Sequence, residues 1–448
     1  TITVVVYDGP DTEETEIVQT ATGTLEITEE ERNANRERVA EAYNALYENY
    51  GREIEIVVMK TEAESNDEVG ARADAIRAAE ELGAFAVIGG PAGGTFASEL
   101  ASRGVLCFCT ASLPQERYDE WAPHVWPGLM SSTQAYIHRA DFVVNQLAGK
   151  PAEFAGDEAL QSQDRTFGLV WYETADGAYA DGVNFFKEQL AEGGVELVDD
   201  VSYIYGTGDT LDEDAQTIIA RMKDAGVTSV IFAGDPFMPA NLTAQATAQD
   251  YWPEWIITGS TGTDSSALAR RYDQQQWAHA FGISLLLPTL DPDMTQQEGN
   301  VVSWYLGEEL SNYPNIYEIG RLATGVHLAG PDLNPETFRD GMFSYEPVWH
   351  HPTEYGVSYG QDIWPFDDYT GADDVKVIWW DPETPDPTVE NDPPLGVYRY
   401  VDGGQRYLPG EMGDIGEFFD EEGTVIWFQE RPEGDVPPQY PPRTSREG

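Results

Sequence analysis

The 448-residue chain predicts an α/β protein of two doubly wound lobes, each built on a parallel sheet. Three observations predict this. From Thr28 onward, short apolar runs alternate with segments of helical period. The alternation stops between Leu113 and Ser132, in a stretch bearing tryptophan and proline, and then restarts. Each half is near the usual domain size of about 100–150 residues, and the 41% hydrophobic and 12% aromatic content supplies a core for both.

In the first half, TITVVVY reads as a strand. TEEERNANRERVAEAYNALYENYG reads as a helix, with Thr28 at the N-cap, Glu31 completing a capping box and Gly51 ending the pattern. EIEIVVM is the next strand. SNDEVGARADAIRAAEELG is a helix capped at Ser65 or Asn66 and stopped by Gly83. AFAVIGG is a strand, TFASELASRG a short helix and VLCFC a strand.

The second half repeats the rhythm. SSTQAYIHRADFVVNQLAG is helical and TFGLVWY a strand; GAYADGVNFFKEQLAEGG and VELVDDVSY follow as helix and strand. DEDAQTIIARMKDAG, TSVIFAG, PANLTAQATAQDY and EWIITG continue the series. Beyond Phe281 the order loosens: FGISLLLP is a strand, and GNVVSWYLGEEL, YEIGRLATGVHLAG and NPETFRDGMF are helices. Past Asp362 the chain is proline-rich, with scattered strands at VKVIWW, GVYRY and TVIWF. Its aromatic content marks ordered structure rather than a solvated linker.

Acidic residues number 80 against 25 basic, a formal charge of −55. Such a polyanion repels phosphate backbones and anionic lipid, which excludes nucleic acid and membrane surfaces as partners. Lysine is scarce, as fits a saline habitat or an arginine-favouring genome. There is no run of 18 apolar residues and no basic-then-apolar leader. The chain opens on Thr1 directly into a strand, as a processed product does. Cys107 and Cys109 lie two apart in GVLCFC. Strand neighbours at that spacing have Cα atoms ~7 Å apart, near the upper limit for a bridge, so two buried thiols are expected.

Motifs for chemistry fail on inspection. GVSYG (356–360) has the G-x-S-x-G spacing of a nucleophile elbow, but no suitable strand and helix flank it and no histidine follows His351. GGPAGGT (89–95) lacks the Lys-Ser/Thr of a phosphate loop and the spacing of a dinucleotide loop. Its N–H groups at a helix start still suit a carboxylate or carbonyl oxygen. His350 and His351 stand without further metal ligands, and DTLDED (209–214) lacks EF-hand spacing. No catalytic residue, metal or cofactor is expected, and the protein is read as a non-enzyme.

TFGLVWYETADGAYADGVNFFKEQLAEGGVELVDDVSY, DEDAQTIIARMKDAGVTSVIFAGDPFMPANLTAQATAQDY and YEIGRLATGVHLAGPDLNPETFRDGMF together resemble type I periplasmic binding proteins. These are the solute-binding components of ABC importers of the branched-chain amino acid and amide class, and the resemblance spans roughly residues 25–380. It implies a clamshell of two α/β lobes joined by a three-segment hinge, with crossings near Gly128–Thr133, Phe281–Pro288 and Gly356–Trp364. Lobe 1 is then 1–130 with 288–356. Lobe 2 is 131–287 with 357–448, including a Pro-rich acidic extension.

The resemblance also implies a ligand site. Pro91 to Thr95 replace the family's carboxylate-gripping serines, leaving N–H groups of Gly93 and Gly94 and the Thr95 hydroxyl. Thr110 and Ser112 fall on the next pocket loop, Tyr179 at the family's aromatic contact, and Asp235 and Phe237 on the loop opposite. Thr261 stands where amino-acid binders carry an ammonium-neutralising glutamate; Asp235 either takes that role or caps the helix after it. Alternation sends one of Trp171 and Tyr172 into the core and leaves the other on the cleft side, without deciding which; Tyr172 is the candidate ligand contact. The implied function is extracytoplasmic capture of a small organic solute (an amino acid, amide or related compound) for an ABC permease. The implied protein is a monomer in the periplasm or on the cell surface, its leader removed. The alternative is a ligand-sensing receptor or regulatory domain of the same fold.

Overall fold

A computed structural model describes residues 1–9, 28–61, 63, 67–91, 93–109, 112–174, 177–204, 209–260, 262–291, 301–307, 315–348, 352–389, 391–433 and 440. Its first sheet holds β1 (Ile2–Asp8), β2 (Ile54–Lys60), β3 (Ala86–Ile88) and β4 (Leu106–Phe108) in the order β2-β1-β3-β4. All three pairings are parallel, with Val4 opposite both Ile56 and Ala86. The helices between them are α1 (Glu29–Leu46), α2 (Glu68–Ile76) and α3 (Thr95–Ser102). Runs such as VVV and AVI are β-branched and apolar throughout, as a sheet covered on both faces requires.

The predicted capping box of α1 is present. The Thr28 hydroxyl accepts from Glu31 N at 3.2 Å, and the Glu31 carboxylate accepts from Thr28 N at 2.7 Å. Thr28→Ala is expected to cost about 1 kcal/mol, read as a lower denaturation midpoint. The next helix is capped by Asp67, which accepts from Val69 N and Gly70 N; the expected caps Ser65 and Asn66 lie outside the described residues.

After α4 (Gln115–Trp121) the chain crosses into α5 (Ser132–Phe142), opened by a Ser131–Gln134 capping box. The second sheet holds β5 (Phe167–Glu173), β6 (Leu197–Ile204), β7 (Ser229–Ala233), β8 (Glu254–Ile257) and β9 (Ala280–Ser284), parallel in the order β6-β5-β7-β8-β9. Between them run α6 (Ala180–Glu192), α7 (Asp209–Asp224) and α8 (Met238–Ala248). Asp212, Glu213 and Asp214 of the acidic run lie in the first turns of α7, where negative charge complements the positive end of the helix dipole. Gly282 in β9 has φ +154°, and a Cβ there would lie 2.0 Å from the Ile257 carbonyl oxygen, so only glycine lets these strands approach.

The proline-rich region extends this sheet. β10 (Val375–Pro385) pairs antiparallel with β9, and β11 (Leu395–Tyr400) and β12 (Arg406–Tyr407) pair antiparallel with β10. The expected strand TVIWF is reduced to single bridges, Val425 to Tyr400 and Phe428 to Leu290. Before this extension come α9 (Val301–Leu306), α10 (Ile316–Ala329) and α11 (Pro335–Met342). These pack on the first sheet, where Leu322 and Phe338 share a core with Val5, Val87 and Leu106. Trp126 is wholly buried there, 5.3 Å from the Phe338 ring and 5.0 Å from that of Tyr369. Residues 359 and 369 thus lie on the first core, and the chain enters the second sheet at Val375.

The second sheet is covered on both faces. Val170, Val230, Ile257 and Trp380 face one apolar layer; their neighbours Leu169, Ile231, Ile256 and Trp379 face the other. No helix among the described residues is long and apolar enough to cross a membrane. The expectation of two separate thiols is corrected: β4 ends at Phe108 and the chain turns there. That turn draws the Cys107 and Cys109 Cα atoms to 5.2 Å, closer than an extended strand holds them, and the sulfurs are bonded.

Candidate functional site

In parallel α/β sheets the crevice at the carboxyl ends of the strands is where helix N-termini converge and ligands bind. At the end of β3 the chain runs through Gly89, Gly90 and Pro91 to α3. A Cβ on Gly90 would meet the Phe96 ring at 2.9 Å, so the loop lies flat against the helix. Gly94 is the N-cap of α3, so no side chain caps that end, and Thr95 is the first helical residue. Gly93 adopts φ +93°, which turns this loop.

On the next loop the Ser112 hydroxyl donates to the Met130 carbonyl at 2.6 Å. Ser132 N donates to the Leu113 carbonyl at 2.8 Å, and Gln115 N to the Thr133 hydroxyl at 3.0 Å. Ser112 therefore ties its loop to the first crossing between lobes. Thr110 lies outside the described residues.

A cavity of about 320 Å³ opens among Ile88 to Pro91, Phe108, Cys109, Gly128, Leu129, Asn315 and Glu318. Its walls are the ends of β3 and β4, the first crossing and the start of α10. Asn315 holds a left-handed conformation (φ 61°) and accepts from Arg36 Nε at 3.0 Å. Asn315 and Glu318 are absent from the sequence-based site. They stand some two hundred residues from the loops they join, with no local motif to flag them.

In the second lobe, Tyr172 and Glu173 end β5. One Glu173 oxygen accepts from Thr174 N at 2.8 Å and Tyr179 N at 3.0 Å, holding the start of α6. Tyr172 and Tyr179 meet edge to face at 5.7 Å, and Tyr172 meets Tyr203 at 5.9 Å. Trp171 packs against the opposite layer of the sheet, so of the two Tyr172 carries the aromatic contact with Tyr179. Ala178 and Tyr179 pack against the core of the first lobe, so the start of α6 bridges the crevice.

Asp235 follows β7. One carboxylate oxygen accepts from Phe237 N at 2.8 Å and Met238 N at 3.0 Å. The other takes the Tyr203 hydroxyl, which in turn accepts from Asp235 N at 3.2 Å. Burial pushes the Asp235 carboxyl above the usual carboxylate range and the Tyr203 phenol well up. The carboxylate thus caps α8 and fixes Tyr203. Phe237 is the N-cap residue of α8 and is partly buried. Thr261 lies outside the described residues; beside it the Ser260 hydroxyl accepts from Gly234 N at 3.1 Å.

Ser358 of the elbow-like GVSYG is 1% exposed, between bridges from Val357 to Val348 and from Gly360 to Asp368 rather than on a strand-to-helix turn. Among the described residues no group of three or more His, Cys, Asp or Glu side chains is placed to hold a metal ion.

The chain matches no protein-family model and no curated protein sequence. Solved structures do resemble it. A solute-binding protein of an ABC transporter from Rhodopseudomonas palustris BisB5, in complex with 3,4-dihydroxybenzoic acid, is 14% identical, with a TM-score of 0.56 over 88% of this chain and 95% of that one. The branched-chain amino acid transporter substrate-binding protein LivJ from Streptococcus pneumoniae, in complex with isoleucine, is 13% identical, with a TM-score of 0.53 over 85% and 96%. An ABC transporter substrate-binding protein from Aeropyrum pernix is 13% identical, with a TM-score of 0.56 over 84% and 92%. The fold of this chain is that of the type I periplasmic binding proteins.

Proposed function

We propose that this chain, having that two-lobed fold, is a solute-binding protein that captures a small organic ligand between its lobes outside the cytoplasm and delivers it to an ABC permease. The observations that carry the reading are the cavity at the carboxyl ends of β3 and β4 and, on the second lobe, the aromatic pair Tyr172 and Tyr179 at the start of α6, which packs against the first core. The structural neighbours supply the context, since those proteins are transporter components. Gly93, Gly94 and Thr95 would offer N–H groups and a hydroxyl to an oxygen of the solute, with Tyr172, Tyr179 and Phe237 as its apolar wall. Ser112 and Asp235 act as positioning residues, one holding a loop to the crossing and the other holding Tyr203 and α8.

Capture needs no bond to break. A solute touching both lobes favours the closed arrangement by as much as it binds that arrangement better. Thermal-shift screening against amino acids, amides, aromatic acids and short peptides is expected to find a stabilising solute. At one hundred times its Kd such a solute adds about 2.7 kcal/mol to stability. Tyr179→Ala is expected to weaken its binding roughly tenfold while leaving the unliganded melting point within a few degrees. A library without a single stabilising solute overturns the reading.

A further inference from the structure

Resting on the capture reading, the charge around the cavity points to the class of solute. Glu318 lines the cavity, partly buried, and its carboxylate makes no hydrogen bond or ion pair among the described residues. Among the described residues no lysine, arginine or histidine lines the cavity. The segments 10–27 and 308–314, which follow β1 and precede Asn315 in the chain, contain no lysine or arginine and seven acidic residues. Two guanidiniums stand on the elements around the cavity: that of Arg321, three residues beyond Glu318, lies 5.6 Å from the Phe108 ring and donates to the Pro127 and Tyr369 carbonyls at 2.6 and 3.0 Å, and the other belongs to Arg36. Its guanidinium is committed to Asn315 and Asn33, at 3.0 and 2.7 Å, and faces the charges of Asp8 and Glu29.

Across the crevice the acids Glu173 and Asp235 have no basic partner among the described residues: backbone N–H groups hold both, and Tyr203 completes the second. Arg139, on the crossing helix, is buried, lies over the Tyr136 ring and donates to the Thr258 carbonyl at 2.9 Å. Closing two lobes over an unpaired carboxylate removes its water, which is costly unless the guest brings the opposite charge. An anionic guest would be repelled by Glu318 at contact and by the −55 surface on approach.

We infer that the guest is a cationic organic solute, bearing an ammonium or amidinium group set against Glu318, with an apolar body against Ile88, Phe108 and Leu129. Glu318 is then the residue that selects charge. Asn315, fixed by Arg36, sets the start of the helix that carries it.

The test uses the full chain at fixed ionic strength and two isosteric sets: isoamylamine, isovaleramide and isovalerate; phenethylamine, phenylacetamide and phenylacetate. The amine of at least one set is expected to raise the melting point while its amide and carboxylate do not. Titration calorimetry should then show its affinity falling roughly tenfold in Glu318→Gln, the loss of one partly desolvated ion pair. Glu188→Gln, which removes the same charge from an exposed position on α6, should leave that affinity unchanged. Unliganded Glu318→Gln should melt within a few degrees of the parent, because the change removes only a first-turn charge of α10, worth about 0.3–1 kcal/mol. The inference is overturned if neither amine stabilises, if an amide or carboxylate does so equally, or if Glu318→Gln binds the amine as the parent does. A neutral or anionic solute found by the wider screen would sink the charge inference alone and leave capture standing.

Discussion

Arg165→Met is expected to destabilise the second lobe by about 3–5 kcal/mol, the usual cost of leaving one partner of a buried ion pair alone. Arg165 and Glu254 are both essentially free of solvent, their side chains 1% and 0% exposed. The pair is bidentate: Nε to one carboxylate oxygen at 2.7 Å and a terminal nitrogen to the other at 2.9 Å. The Ser229 hydroxyl and Phe154 N complete the carboxylate at 2.6 and 3.1 Å. Two neutral donors cannot replace a guanidinium in that position. The phenyl rings of Phe154 and Phe281 lie 5.7 and 5.9 Å from it, so water does not reach the vacated charge. The check is the denaturant midpoint of the variant at low and at high salt. A surface pair would weaken with salt, whereas this one should lose the same amount in both. Arg165→Met combined with Glu254→Gln should recover part of the loss, because no uncompensated charge then remains. A single variant within about 1 kcal/mol of the parent would show that the pair is not the anchor described.

The second large effect depends on pH. Asp368 and Asp373 are both fully buried in the segment between the lobes. The Asp373 carboxyl is pushed up to about 7, first by burial and then by the neighbouring charge of Asp368; burial also raises Asp368, to about 6. The Trp364 indole donates to Asp373 at 2.8 Å, and the Thr370 N–H and hydroxyl donate to one Asp368 oxygen, both at 2.8 Å. Arg406 is committed to Asp374 at 2.7 Å, and Arg321 to the Pro127 and Tyr369 carbonyls. A carboxyl whose folded pKa lies above its unfolded value binds more protons when folded. Its stabilising contribution is therefore complete in acid and is lost as pH rises through the folded pKa.

For Asp373 that loss runs from about pH 4 to pH 7 and reaches about 4 kcal/mol at most, at 1.36 kcal/mol for each pH unit. Asp373→Asn should accordingly match the parent near pH 4 and exceed its stability above pH 7. His138 does not confuse the comparison. Its Nε2 donates to the Asp373 carbonyl at 3.0 Å, and burial pushes it down to about 4. Its own destabilising effect therefore grows only below pH 6.5, and in both proteins alike. A stability difference between parent and variant that stays constant from pH 5 to pH 8 would refute the assignment.

The alternation of strands and helices was legible because each parallel strand buries both faces and each helix one, which leaves periods of run and stripe in the residue order. The Thr28–Glu31 box was legible for a related reason: capping is chemistry between residues three apart. The cap at Asp67, the turn that brings Cys109 back to Cys107, and the pairing of β10 to β9 were not. In β10 a local pattern says strand but carries no information about its neighbour or direction. Of the loops named from the residue order, the structure brings Gly90 and Cys109 to one cavity and Tyr172 beside Tyr179. It commits Ser112 and Asp235 to internal hydrogen bonds.

By itself, then, the sequence determined the fold class, the two-lobe rhythm and the acidic surface, because these follow from composition and from contacts a few residues apart. Only the tertiary structure decided what meets at the crevice. Glu318 reaches the loop after β3 because α10 packs on the first core through Ile319, Leu322 and Val326. That packing is set by shape complementarity between segments over two hundred residues apart, and the hydrophobic effect that drives it is non-directional. It writes no motif around the residue it delivers.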